Sequence, residues 1–274
     1  MTLQSSGIIY MSQINGEFGR GNDLNAYRGT YFYQTDGNIG YFPSGQIAFS
    51  DFYSKSLVQP LPADVNTANT VMGGTTTVWI AGSQYLGIPH PRRVVVVACA
   101  RGDTTGSPIS SVQIGGVTAN VGARTNASGS MRAVAVYWRS VPMGSYADIR
   151  VTNSGSANSC LISTYAVYPQ TAARAAFDTA ITTASSCTTS SQTWPNVGIV
   201  IGATHHRNTN GTSWEAGSAG LGWSVSYNGT VGGVNCSTAM ATTYGNVGAA
   251  RISYAGSNNG GLAVCSFGPR LGEG

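Results

Sequence analysis

Val94-Val95-Val96-Val97-Ala98-Cys99-Ala100 is the longest apolar run in the chain, and its reading decides the fold. Seven residues are far too few to cross a bilayer. Four consecutive valines, branched at Cβ, favour an extended strand over a helix. A run with no polar alternation suits a strand covered on both faces, as when two sheets are buried face to face. Outward from it, further strand-like runs occupy 76–80, 111–114, 117–121, 132–139, 148–151, 160–168, 197–203, 222–227, 250–254 and 262–267. Clusters of Gly, Ser, Asn and Pro separate them, with turn signals about every ten residues. Ile114-Gly115-Gly116-Val117 and Val231-Gly232-Gly233-Val234 read as two-residue hairpins, because Gly accepts the positive φ that primed turns need.

The two hairpins suggest an internal duplication. An apolar strand (Val94–Ala98, then Val197–Ile201) is followed in each half by a polar loop and a Gly-Gly hairpin. Each half then closes on an aromatic residue and a proline: Tyr168-Pro169, and Phe267-Gly268-Pro269.

Composition agrees with a β-rich body. Charged residues make up 9% of the 274, against about a quarter in ordinary soluble domains, and 37 residues are Gly. With 42% hydrophobic residues the chain can bury a core, which argues against disorder. Net charge is +4, made of −1 in residues 1–58 and +5 in the remainder. The arginines are dispersed apart from Arg92-Arg93, with no basic stripe for nucleic acid. No basic segment followed by an apolar one opens the chain, so cytosolic synthesis without membrane insertion is expected.

A second repeat lies at the N-terminus: Ser6-Gly7-Ile8-Ile9-Tyr10-Met11-Ser12-Gln13-Ile14 and Ser44-Gly45-Gln46-Ile47-Ala48-Phe49-Ser50-Asp51-Phe52. Each copy reads as a short strand running into a helix. Ile9 and Met11, then Ile47 and Phe49, form the strands, and Ser12 and Ser50 are the N-caps. Ile14 and Phe18 share a helix face, and Gly19 and Gly21 stop the first helix. Tyr31, Phe32, Tyr33, Tyr41 and Phe42 lie between the copies. So few residues bury little surface alone, so some of these rings are expected to pack on another chain or on the body.

This segment resembles one found in structural proteins of tailed bacteriophages. Ile9-Tyr10-Met11-Ser12-Gln13-Ile14-Asn15-Gly16-Glu17-Phe18-Gly19 is similar to an I-x-M-S-x-I-x-x-E-F-G half. Ile47-Ala48-Phe49-Ser50-Asp51-Phe52-Tyr53 is similar to a following I-x-F-S-D-F-Y-G-K half, with Ser54 where Gly commonly stands before Lys55. Arg92 to Val97 and Ser111 to Val117 also resemble part of a domain in phage tail and fibre proteins. The resemblance implies a non-enzymatic virion component of a tail, collar, fibre or decoration type. It would be anchored through its N-terminus and partnered by other virion proteins and copies of itself. The expected attachment residues are Ile9, Met11, Ile14, Phe18, Ile47, Phe49, Phe52 and Tyr53 from the two halves, with Tyr31, Phe32 and Tyr33 from the aromatic stretch between them.

The expected fold is thus mainly β: a strand-helix attachment module (1–58), a linker (59–70), and an antiparallel, jelly-roll-like β-sandwich (71–274). No cofactor or metal site is expected. The five cysteines show no CxxC spacing, and His205 and His206 are neighbours that face opposite ways on a strand. Arg101-Gly102-Asp103 spells an integrin-type tripeptide that also suits an ordinary polar loop. Residues 204–220 read as a polar loop, with His205, His206, Arg207 and Trp214 as a possible surface for a protein or a host glycan, although Trp214 reads equally as folding back onto the sandwich edge. A glycan-binding module is the alternative reading. A glycan depolymerase built on Asp178 and Glu215 is the second, although no G-x-S-x-G elbow or paired carboxylates favour it.

Overall fold

In the computed structural model the valine run opens strand β5. The structure describes residues 3–33, 39–57, 63–102, 108–125, 133–169, 174–182, 184–207, 211–245, 247–254 and 260–268. Two units divide the chain at Pro62/Ala63.

The N-terminal unit has one α-helix, α1 (Met11–Phe18), and single 3-10 turns at Leu24–Tyr27 and Phe49–Phe52. Strands β1 (Tyr31–Tyr33), β2 (Ile39–Tyr41) and β3 (Ser56–Leu57) form a small antiparallel sheet in the order β2-β1-β3. Neither repeated copy contains the expected strand. Ile9 and Ile47 are buried in extended backbone that runs straight into helical turns. Ser12 and Ser50 lie inside those turns, and the N-caps are Tyr10 and Ala48. The side chain one residue beyond each Ser reaches back to the cap. Gln13 Oε1 accepts from the Tyr10 N–H at 2.8 Å, and Asp51 Oδ2 accepts from the Ala48 N–H at 2.7 Å. The repeat therefore encodes a cap made from the third helical position, half of a capping box. Gly19 ends α1 at φ 67°.

The body is mainly β, with antiparallel sheets throughout. Its first part contains β4 (Val65–Tyr85), β5 (Val94–Arg101), β6 (Ile109–Ile114), β7 (Val117–Thr118), β8 (Asn120–Arg124), β9 (Val134–Ser140) and β10 (Tyr146–Val167). They form one seven-stranded sheet, β7-β6-β10-β5-β9-β8 with β4 also on β10, curled nearly closed like a barrel. The second part contains β11 (Arg174–Thr182), β12 (Ser186–Thr188), β13 (Gln192–Thr193), β14 (Asn196–His206), β15 (Thr212–Glu215), β16 (Gly222–Val231), β17 (Val234–Tyr244), β18 (Val247–Gly248), β19 (Arg251–Tyr254) and β20 (Gly260–Phe267). Its sheets run β11-β20-β14-β17-β16, β12-β19-β15 and β13-β18. The expected linker is strand from Val65 onward, and residues 58–62 fall outside the described ones.

The duplication is present in the main strands. β5 pairs with β9 and β10, as β14 pairs with β17 and β20. β8 pairs with β9 through a bulge at Val121/Ala123, and β16 pairs with β17 through a bulge at Val225/Tyr227. β4 and β10 are single long strands, whereas their counterparts are broken into β11 with β12 and β19 with β20. The Gly-Gly hairpins are real: Gly115 and Gly116, and Gly232 and Gly233, all have positive φ. They do not correspond, however. The first joins β6 to β7 and the second joins β16 to β17.

β5 is buried at all eight residues because each of its faces meets a different core. Val95, Val97 and Cys99 point into the barrel beside Trp79, Val112, Ile149 and Ile162. Val94, Val96, Ala98 and Ala100 join Ile199, Ile201, Ala203, Cys236, Cys265 and Phe267 in a layer shared by both repeats. A third core, around Trp194, Val200, Ile252 and Leu262, lies on the far face of the second repeat. Each fully buried Val stabilises by roughly 1.5–3 kcal/mol relative to exposure. The unbroken Val run therefore serves two cores at once.

Candidate assembly site

The aromatic residues of the N-terminal unit pack chiefly on one another. Phe18 meets Tyr27, Phe42 and Phe52 edge-to-face, with centroids 6.1, 5.6 and 5.8 Å apart. Ile9, Ile14, Phe18, Tyr27, Phe32, Phe42, Ile47 and Phe52 form one buried cluster, with Met11 and Tyr53 partly buried against it. The rings of Phe32 and Phe42, two of those between the copies, are thus satisfied within the unit, as are Phe18 and Phe52. Tyr31 and Tyr33 place their backbones in β1, but their side chains lie outside the described ones. Of the attachment residues expected from sequence, Phe49 stays exposed. Ile8 and Tyr10, which were not singled out, are 74% and 59% exposed.

The second motif half opens onto a groove. A cleft of about 340 Å³ is lined by Phe32, Phe42, Pro43, Ser50, Asp51, Tyr53 and Lys55. The Lys55 ammonium sits 4.8 Å from the Phe32 ring centroid, a cation–π contact. The Tyr53 hydroxyl donates to the Gly7 carbonyl, and the Ser54 N–H donates to the Gln4 carbonyl at 3.0 Å. These bonds hold the N-terminal residues alongside the motif. Ser54 sits at φ 56°, left-handed backbone that favours Gly, the residue common at this place in the phage pattern. The groove thus offers an aromatic floor with one acid and one base at its walls. That arrangement can seat an extended peptide or loop.

The expected contact loop at 204–220 is different in kind. His205 and His206 close strand β14 and are buried. The His206 ring stacks on Tyr254, with centroids 4.2 Å apart. The Thr212 hydroxyl donates to Asn235 Oδ1 at 2.8 Å, so its oxygen accepts from His206 Nε2–H at 2.9 Å. Burial lowers the His206 pKa to about 4, keeping the ring neutral. Trp214 folds back: its Nε1–H donates to Ser237 Oγ at 2.8 Å, and its ring lies against Gly202 and Trp223. Only Arg207 of the four named residues is exposed.

The other motifs are absorbed by the fold. Arg101 is buried at the end of β5 and donates to the Ser156 carbonyl, which removes it from any receptor; Asp103 lies outside the described residues. Glu215 pairs with Arg251 at 2.9 Å. Asp178 accepts from the Thr179 N–H at 2.7 Å and from the Ser190 N–H and hydroxyl at 2.7 and 2.5 Å. Each proposed hydrolytic carboxylate therefore has a local structural partner. All five cysteines are buried, and burial raises the thiol pKa of Cys99, Cys160 and Cys236. Among the described residues no group of three or more His, Cys, Asp or Glu could hold a metal.

Sequence reasoning missed Arg93, fully buried behind the valine run. Its guanidinium donates to the carbonyls of Gly87, Val141, Met143 and Gly144 and pins two loops. The Arg92-Arg93 doublet was visible, but nothing in it marked one member as buried.

Searches against protein-family models, curated proteins and solved structures return no match. The likeness to tailed-phage structural proteins therefore rests on the motif residues placed above.

Proposed function

We propose that this chain is a non-enzymatic structural component of a bacteriophage virion. Its N-terminal unit fastens it to the particle, and its body is displayed as a tail, collar, fibre or decoration element. The observation that carries the reading is the groove. Ser50, Asp51, Tyr53 and Lys55, all from the motif half that resembles phage proteins, line one cleft instead of being consumed by the core. The exposed Ile8, Tyr10 and Phe49 supply further apolar surface for a neighbour. We read each body repeat as a jelly-roll-like sandwich, closed as one curled sheet in the first and split into five- and three-stranded sheets in the second. Low charge and dense β packing suit a part that persists outside a cell.

A full-length Lys55→Glu chain and a chain lacking residues 1–62 test this when supplied during infection. The expected result is a folded, soluble protein in both cases, with both depleted from purified particles relative to the unaltered chain. Incorporation of the truncated chain at the unaltered level would contradict the assignment.

A glycan-binding role is the second reading, favoured by a cleft of about 190 Å³ where β8 meets β11. Val121, Arg124, Phe177 and Asp178 line it. Saturable binding on a glycan array that is lost in Phe177→Ala would support it.

A further inference from the structure

Strands β4, β10 and β6 share an outward face whose side chains are not spent on the fold. Along β10, exposed Tyr146, Asp148 and Arg150 alternate with Ala147, Ile149 and Val151, the last two buried. Tyr146 stands directly opposite Tyr85 of β4, with ring centroids 5.4 Å apart, and the two residues are 63% and 37% exposed. Arg150 stands opposite Gln113 of β6. Among the described residues, neither the Arg150 guanidinium nor the Gln113 amide has a side-chain partner. Asp148 commits one carboxylate oxygen, which accepts from the Ser83 N–H at 2.8 Å, and its other oxygen is left for solvent. Ser83 reaches that position in left-handed backbone, at φ 48°. The corresponding strands of the second repeat are used differently. β19 and β15 pair as β10 and β6 do, but there Arg251 faces Glu215 and is bonded to it at 2.9 Å. The face of the first repeat is also held in shape. Arg93 donates to the carbonyls of Gly87, Met143 and Gly144, and the Leu86 N–H donates to the Ser145 carbonyl at 2.8 Å. The chain just after Tyr85 and just before Tyr146 is therefore fixed, and a fixed site loses little freedom on binding.

We propose that this face is a glycan-binding platform. The apolar C–H face of a pyranose rests on Tyr146 and Tyr85, and the hydroxyls of the oligosaccharide bond to Asp148, Arg150 and Gln113. Each tyrosine offers an apolar ring with a polar tip, which suits a ligand that is apolar on its faces and polar at its rim. Asp148 accepts from hydroxyls, Arg150 donates to them, and the Gln113 amide does both. Bonds to the two charged groups are the stronger ones. Tyr146 to Arg150 spans about 13 Å of strand, so the row follows an oligosaccharide rather than a single ring. Asp148 and Arg150 cancel in charge, which leaves no net field to draw nucleic acid or an anionic lipid surface. A dry protein contact closing over them would have to desolvate both charges, whereas sugar hydroxyls replace the water they lose. The ligand class rests on the glycan-binding reading above, but the site is this sheet face and not the cleft between β8 and β11.

The test presents the full chain to an array of neutral and uronate-containing oligosaccharides. Saturable binding to at least one of them is expected. Tyr146→Ala and Arg150→Gln should each weaken it about tenfold or more, with the thermal midpoint of the parent retained. In the unaltered chain, saturation with the bound oligosaccharide should shield Tyr85 and Tyr146 from hydroxyl-radical labelling. Binding lost in Phe177→Ala but kept in Tyr146→Ala would place the sugar in the β8–β11 cleft and overturn this proposal alone. No saturable binding to any oligosaccharide would overturn it together with the glycan-binding reading, and would leave the virion assignment standing. If a variant fails to fold, labelling of the parent decides: equal labelling of Tyr85 and Tyr146 with and without the sugar means that the platform is not the site.

Discussion

The two repeats of the body share one topology but close their seams differently. Where β16 of the second repeat meets β4 of the first, the Asn69 side chain donates to the Ser226 carbonyl at 3.0 Å and bridges the two strands. Where β8 of the first meets β11 of the second, the equivalent place is the cleft lined by Gly122 and Asp178. Ser226 and Gly122 both occupy the bulge of their strand. The pairing pattern is thus a property of the backbone, while what each seam can bind is set by a few side chains. The same holds at the last residue of the central strands, where the first repeat buries Arg101 and the second buries His206.

The largest expected effect breaks the join between repeats. A Cβ on Gly232 would lie 2.0 Å from the Gly102 carbonyl and 2.1 Å from Ser159 Oγ, at a φ of 59°. Gly232→Ala should therefore cost about 3 kcal/mol or more, measured by denaturant unfolding. Gly116→Ala, in the other Gly-Gly hairpin, meets nothing within 4 Å. Only the left-handed strain of about 1–2 kcal/mol should appear there. Equal losses would contradict the different roles of the two hairpins.

Next comes the shared layer. Val96 and Ile201 occupy equivalent positions in it, one from each repeat. Ile201→Ala should cost about 2–5 kcal/mol, with a smaller loss for Val96→Ala. In calorimetry both variants should leave the body unfolding in a single transition. Two separated transitions would mean that the repeats are independent, and the common layer would lose its significance.

Acid should separate the repeats more gently. The His206 pKa, lowered to about 4 from 6.5, means that the folded state binds fewer protons than the unfolded chain. Its contribution is complete above pH 6.5 and is lost as pH falls toward 4. His90 adds a share from the first repeat, since burial and the neighbouring Arg92 and Arg93 hold its pKa near 4 as well. The thermal midpoint should therefore fall across this window, less steeply in His206→Gln. An unchanged slope in that variant would show that His206 is already hydrated.

The smallest effect lies in the N-terminal unit. Ser54→Gly relieves the left-handed backbone at φ 56° but loosens the unfolded chain. A gain of no more than about 1 kcal/mol is expected, and a clear loss would mean that the Ser side chain has a role of its own.

How much of this was legible in the sequence depended on how local the signal was. The valine run and both Gly-Gly turns were readable because apolar length and tolerance of positive φ are properties of a few adjacent residues. The duplication was readable from the central strands and the closing prolines. Matching the hairpins misaligned the parts between, because similar turns recur wherever strands reverse. The N-terminal repeat was plain as a pattern, but its caps were misread. Ser resembles a cap, yet the cap bonds come from Gln13 and Asp51, and only the backbone entry angle decides between them. His205 and His206 looked like surface because polarity suggests a loop, whereas a Trp214 folded back onto the sandwich edge was readable. Their burial depends on Thr212, Asn235, Ser237 and Tyr254, which are distant in sequence and arrive only with the fold.

Hydroxyl-radical footprinting of the free chain and of purified particles tests the attachment role most directly. Tyr10 and Tyr53 should be labelled in the free protein and protected in particles, with buried Phe52 protected in both states. Equal labelling of Tyr10 and Tyr53 in the two samples would contradict the account, because the N-terminal groove would then face solvent where it was held to grip a neighbour.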